Sequence, residues 1–122
     1  MDVLVVEDDV SSLSHIVDLI EGWGHGAEKA ETARKAIEKL KRKVFDLVLL
    51  DLTIPDMGAV ETITHFKEIQ PDIGIVTMTG ASTKELEKEI RTRGIVYYMS
   101  KPVSEAVLKD ILDHISVKKG KE

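Results

Sequence analysis

Apolar runs of strand length alternate with segments of helical apolar spacing, five times along the chain. The first run is Val3 to Glu7, and the helix behind it carries Val10, Leu13, Ile16, Val17 and Ile20. A weak strand, Ala27 to Ala30, precedes a helix opened by Glu31-Thr32 and striped by Ala33, Ala36, Ile37 and Leu40. The third run starts at Val44 and ends on Asp51; its helix shows Val60, Ile63, Phe66 and Ile69 before Pro71. Ile73 to Met78 is the fourth strand. The helix after it, Thr83 to Arg93, offers only Leu86 and Ile90 as apolar anchors and is expected to be the loosest element. Gly94 ends that helix, as a glycine past a helix terminus does. Ile95 to Met99 makes the fifth strand. Val103, Val107, Leu108, Ile111, Leu112 and Ile115 stripe the last helix, which is expected to fray in residues 118–122 or to begin a linker there. The whole of 1–122 is expected to be one domain.

Strands that alternate with helices imply right-handed crossovers and a parallel sheet covered on both faces. Such sheets bind ligands at the carboxyl edge of their strands. Here that edge is chemically loaded. The first run ends on Glu7-Asp8-Asp9 and the third on Asp51, while the later loops bring Thr79, Ser82, Ser100 and Lys101. Carboxylates held together repel, by ~4 kcal/mol for a pair 4 Å apart at an effective dielectric of 20. A fold keeps them together for a cation, a shared proton or a reaction.

Composition removes several alternatives. The chain has no cysteine, which excludes thiolate nucleophiles, disulfides and zinc-thiolate sites. No apolar stretch approaches the ~20 residues of a membrane span, and no signal segment precedes Val3, so a cytoplasmic protein is expected. The net charge of −5, from 22 acids and 17 bases, argues against a nucleic-acid grip by this domain. The basic run Lys39 to Lys43 ends a predicted helix, where cations favour the dipole. Gly22, Gly24 and Gly26 follow a helix and lack dinucleotide-loop spacing, so they form a turn. His15, His25, His65 and His114 are scattered without ligand spacing and are expected at the surface or rim.

Four segments then carry a resemblance: Leu4-Val5-Val6-Glu7-Asp8, Asp46 to Pro55, Thr77-Met78-Thr79-Gly80 and Tyr98-Met99-Ser100-Lys101-Pro102. In this order, at the ends of the expected strands, the chain resembles the receiver (phosphoacceptor) domain of bacterial two-component response regulators. The resemblance implies an α/β, flavodoxin-like (βα)5 fold with a five-stranded parallel sheet in the order 2-1-3-4-5. It implies that Asp51 is the phosphorylated aspartate. Mg²⁺, with Mn²⁺ as a substitute, would be held by Asp8 directly, Glu7 through water, Asp51 and the Thr53 backbone carbonyl. Thr79 would be the switch hydroxyl, Lys101 the phosphate-binding lysine and Tyr98 an aromatic switch, with Gly80 and Pro102 beside the phosphate. The implied partners are a sensor histidine kinase or histidine phosphotransfer protein. A second copy, bound through the face of the fourth helix, fifth strand and fifth helix, is a further implied partner.

This chemistry needs these residue types. A carboxylate oxygen attacks phosphorus against oxygens that are already negative, so a cation and a lysine must cancel the repulsion. Hard oxygen ligands suit Mg²⁺ better than zinc. The resemblance also implies rate-tuning positions two residues beyond the aspartate and the threonine; here they hold Thr53 and Ala81, both small, which is expected to leave a path for hydrolytic water. The sequence departs from the family at Asp56-Met57-Gly58-Ala59, where an acid followed by glycine is commoner, and at Ile95, where alanine is usual. Taken alone, Glu7 and Asp8 also suit a charge pair at the first helix, and Tyr98 suits a half-buried strand tyrosine. Two rivals remain open. A haloacid-dehalogenase-type aspartyl-phosphate phosphatase needs a second aspartate where Thr53 stands. A degenerate receiver acting only as a binding module usually lacks the aspartate, the lysine or one of the acid pair, and all are present.

Overall fold

Leu47–Asp51, the strand β3, is buried at all five of its positions. A strand apolar on both faces belongs in the middle of a sheet covered on both sides. The computed structural model describes residues 1–120 and places β3 there. The other strands are β1 (Asp2–Val6), β2 (Gly26–Ala30), β4 (Gly74–Thr79) and β5 (Tyr97–Ser100). Five helices alternate with them: α1 (Val10–Gly22), α2 (Ala33–Arg42), α3 (Ala59–Ile69), α4 (Lys84–Arg91) and α5 (Glu105–Gly120). All four pairings are parallel, in the order β2-β1-β3-β4-β5. This is the flavodoxin-like topology expected from the sequence.

The strand period of two divides the core into two layers. Leu4, Val6, Val48, Leu50, Ile75 and Tyr98 face Ala36 and Leu40 of α2, Ile63 and Phe66 of α3, and Ile90 of α4. Val3, Val5, Leu47, Leu49, Val76, Met78 and Met99 face Leu13, Ile16, Val17 and Ile20 of α1 and Leu108, Leu112 and Ile115 of α5. Fully burying one such leucine, isoleucine or phenylalanine contributes roughly 1.5–3 kcal/mol. The register matters for the site, because it brings Val6, Leu50 and Thr77 side by side and ends all three strands at one edge.

Several element ends differ from expectation. Val44 is 78 % exposed and β3 starts only at Leu47. Val10 is 60 % exposed, because it opens α1 at the sheet's edge, where no second layer covers it. Val107 is exposed and Val103 lies ahead of α5, which begins at Glu105. β5 begins at Tyr97, and Ile95 packs half-buried before it. Thr83 is the N-cap of α4 rather than its first residue, its side chain accepting from Leu86 N–H, and the helix stops at Arg91. α5 runs to Gly120, and Lys121 and Glu122, the end of the tail expected to fray or begin a linker, lie outside the described residues. Gly24, with φ +93°, turns the chain from α1 into β2, as the turn reading requires. In the basic run, Lys39 and Lys43 pair with Glu28 on β2. Among the described residues, no helix is long and apolar enough to cross a membrane.

Candidate functional site

β1 and β3 are neighbours ending at the same edge, so the residues that follow Val6 and Leu50 converge there. Glu7, Asp8 and Asp51 each bring a carboxylate oxygen to within 4.8 Å of the others. Glu7 and Asp51 are buried, 1 % and 2 % exposed, whereas Asp8 is open to solvent. Lys101 enters from the loop after β5. Its Nζ donates to Asp51 Oδ2 at 2.6 Å and also to Glu7 Oε1. Thr53 closes the other side: its backbone N–H and its hydroxyl both donate to Asp51 Oδ1, at 2.8 and 2.7 Å. Asp9 N–H donates to Glu7 Oε2 at 3.3 Å, and the Asp9 side chain caps α1 through Ser11 N–H.

These contacts give the two buried acids opposite characters. Burial pushes Glu7 up, and neighbouring Asp51 adds to the push; the Lys101 ammonium only partly offsets them, leaving Glu7 at about 7. Burial also acts to raise Asp51, but Lys101, Glu7 and both Thr53 donors hold it below the ordinary carboxylate value. Lys101 loses solvent too, yet its two carboxylate partners keep it protonated beyond its usual range. Asp51 therefore stays ionised at neutral pH, while Glu7 titrates near neutrality. Once Glu7 is ionised, the cluster sets three carboxylates against one ammonium, a surplus of negative charge on hard oxygen donors. That donor set fits Mg²⁺ or Mn²⁺.

Thr79 ends β4 with its side chain fully buried; its Oγ1 accepts from Ala81 N–H at 3.1 Å, and its carbonyl accepts from Lys101 N–H at 2.9 Å. Thr79 and the lysine loop are thus joined through backbone. Gly80 lies beside Lys101, where an added Cβ would meet Lys101 Cβ at an ordinary 3.8 Å. Pro102 follows through a cis peptide bond. Tyr98 stands apart from the carboxylates. It lies buried opposite Thr77 in the β4–β5 ladder, its hydroxyl 2.7 Å from Ser82 Oγ and the Arg91 guanidinium over its ring.

Two contributors escaped the sequence reading. The Thr53 side chain was valued only for being small, yet its hydroxyl holds Asp51. Asp56, which looked like a departure in a loop, accepts N–H bonds from Ala33 and Arg34 at 3.0 and 3.1 Å and so caps α2 from the far side of the site. Burial opposes ionisation of Asp56, but those two amides hold its carboxyl below the usual value. A serine, threonine, aspartate or asparagine two to five residues past a strand-end acid is the available signal, and it is a weak one.

Comparison with known proteins agrees with this geometry. The family described as the response regulator receiver domain matches residues 3–113. The chain is 34% identical over 118 residues to the transcriptional regulatory protein ZraR of Escherichia coli K12, covering 93% of this chain and 27% of that protein. It thus spans about a quarter of the length of these ZraR relatives. It is also 26% identical over 114 residues to the signal transduction histidine-protein kinase BarA of the same strain, covering 92% of this chain and 12% of BarA. Its structure matches a CheY-like response regulator receiver domain protein from Methanospirillum hungatei with a TM-score of 0.89 at 25% identity, over 99% of this chain and 98% of that one. With four acidic and basic side chains of the expected types converging at the expected strand ends, this chain belongs to the response regulator receiver domain family.

Proposed function

We propose that this domain accepts a phosphoryl group on Asp51 from the phosphohistidine of a sensor histidine kinase or histidine phosphotransfer protein, in a Mg²⁺-dependent step. The observation that carries the reading is the contact of ionised Asp51 with Lys101 inside a cluster that also holds Glu7 and Asp8. Asp8, Asp51, Glu7 and the Thr53 carbonyl would hold the metal, which when bound neutralises charge on the phosphoryl oxygens.

The chain's own residues account for the remaining chemistry. Asp51 is ionised, so an oxygen lone pair attacks phosphorus without first losing a proton. As the P–O bond forms, the donor's P–N bond breaks and its electron pair returns to the imidazole. Lys101, already at hydrogen-bond distance from Asp51, offsets charge on a second phosphoryl oxygen. Thr79 Oγ1 accepts from Ala81 N–H, which leaves its own proton for a phosphoryl oxygen. Thr53 and Ala81, both exposed at the rim, leave a path for the water that ends the signal. The output is a change in the face of α4, β5 and α5, read by an output domain, a partner or a second copy. Tyr98 reports that change through its bond to Ser82 in the loop before α4. The domain binds no nucleic acid itself, works in the cytoplasm and turns over no free substrate beyond its own phosphorylation and dephosphorylation.

The phosphatase alternative loses support at Thr53. Its hydroxyl already donates to Asp51 and cannot serve as a carboxylic acid. The test is intact-mass analysis after incubation with acetyl phosphate and Mg²⁺. Wild type should gain one phosphoryl group and Asp51→Asn none; equal labelling of the two would sink the assignment.

A further inference from the structure

The loop that leaves β3 carries Thr53, whose two donors hold Asp51, and it runs on to α3. Upstream, Leu52 and Ile54 bury their side chains in the core, which fixes the depth of the loop but leaves its twist free. Downstream, the N-cap of α3 is Gly58, which gives no side-chain cap, and its carbonyl is held from within α3 itself by the Thr62 hydroxyl at 2.8 Å, so that end of the loop has no polar tie of its own to another element. Asp56 supplies one. Its two carboxylate oxygens accept from Ala33 and Arg34 N–H, at 3.0 and 3.1 Å, across 23 and 22 residues of sequence. These are the first two amides of α2 and have no acceptor within their helix. Thr32, the residue at the cap itself, satisfies only Lys35 N–H. Two bonds from one planar carboxylate to two consecutive amides fix orientation as well as distance.

We infer that Asp56 is a positioning residue for Asp51: by bridging the β3–α3 loop to the start of α2, it holds Thr53 in register with the attacking carboxylate. The inference rests on the proposed phosphoryl transfer and deepens it. It also treats α2 as a fixed support for the site rather than a passive cover of the sheet.

The test compares Asp56→Ala, Asp56→Asn and Thr32→Ala. Thr32→Ala removes a cap from the same helix without touching the loop, so it reproduces the structural cost alone. Two readouts are taken well below each variant's melting midpoint: the rate of acetyl-phosphate labelling at Asp51, and NMR-detected hydrogen exchange at the Thr53 amide without phosphate or metal. Asp56→Ala should slow labelling about tenfold, since small misplacements of reacting groups are costly, and should speed Thr53 exchange by a similar factor. Asp56→Asn, which keeps one acceptor, should fall between wild type and Asp56→Ala. Thr32→Ala should lose stability with both readouts at wild-type values. The inference is overturned if Asp56→Ala lowers stability like Thr32→Ala but leaves both readouts unchanged, or if Thr32→Ala slows labelling as much. Should Asp56→Ala not fold, Asp56→Asn decides by the same criteria. Wild type that labels normally while Asp56→Ala matches it defeats this inference alone; wild type that does not label defeats the proposed function.

Discussion

Around α2 and α3 the backbone is tied by side chains that reach across the fold, whereas α4 is attached to the sheet mainly by one isoleucine. Gln70 donates to the carbonyls of Leu40 and Lys43, at 2.8 and 2.7 Å, and accepts from Phe45 N–H at 3.1 Å. With Asp56 on Ala33 and Arg34, these bonds join α2, α3 and the approach to β3. The bonds of α4 are mostly its own: Thr83 caps Leu86, and Arg91 pairs with Glu87 one turn away. Its apolar stripe consists of buried Ile90 and half-buried Leu86. Local bonds keep a helix helical but do not hold it to its neighbours. The low-stability end of a fold is where switching elements are drawn from, and here it adjoins Thr79 through the loop that carries Ser82.

Truncating one core residue on each flank should break or sharpen that contrast most. Phe66→Ala on α3 should cost about 3–5 kcal/mol of global stability and raise exchange everywhere together. Ile90→Ala empties an equally buried position, yet its cost should appear mainly as local opening. Amides of residues 84–93 should then exchange far faster than those of β3, with a smaller loss of melting midpoint than in the Phe66 variant. Uniform exchange in both variants would remove the distinction.

A second, smaller effect concerns the edge between the flanks. Glu7 has its folded value raised from 4.5 to about 7, so the native state binds the extra proton between those values. Stability of the metal-free protein should therefore fall as pH rises through that window. Asp51 acts in the opposite sense, its contribution being present above its ordinary value and lost as the pH falls below it. Mg²⁺ must displace the Glu7 proton, so its apparent affinity should weaken by up to about tenfold per pH unit below 7 and level off above. Calorimetry in two buffers of different ionisation enthalpy would show proton release at pH 6 and none at pH 8. Affinity independent of pH across that range would mean Glu7 is not protonated in the free site.

The smallest expected effect lies on β4 beneath Tyr98. Among the described residues, Thr77 Oγ1 is the buried side-chain polar atom that lacks a hydrogen-bond partner. Leaving such a group unpaired costs about 1–3 kcal/mol, so Thr77→Val should raise the denaturation midpoint while Thr77→Ser should not. A destabilised valine variant would show that the hydroxyl has a partner in solution.

What the sequence made legible was faces and strand ends. Continuous apolar runs placed Leu4 and Leu50 in the core and helical spacing placed Leu13 and Phe66 there, while a run ending on an acid marked the edge of a buried parallel strand. Periodicity says little about where a helix begins, which is why Val10 reads as core yet stands exposed at the open edge of the sheet. Val44 misleads for a related reason, because an apolar run can start before the ladder does. Gln70 left no pattern to find and Asp56 only a weak one, since their partners lie 22 to 30 residues away and are backbone groups. Tyr98 was legible as strand but not as buried or free, because that depends on α4, the element with the least apolar signal.

Hydrogen exchange with and without beryllofluoride and Mg²⁺, in wild type and Asp51→Asn, tests the account most directly. Filling the site should change protection across residues 83–100 of wild type, leave α2 and the Gln70 contacts near their starting values, and do nothing to Asp51→Asn. Changes confined to the loops around Asp8 and Asp51, or equal on the two flanks, would contradict the claim that phosphoryl capture at Asp51 is transmitted through α4.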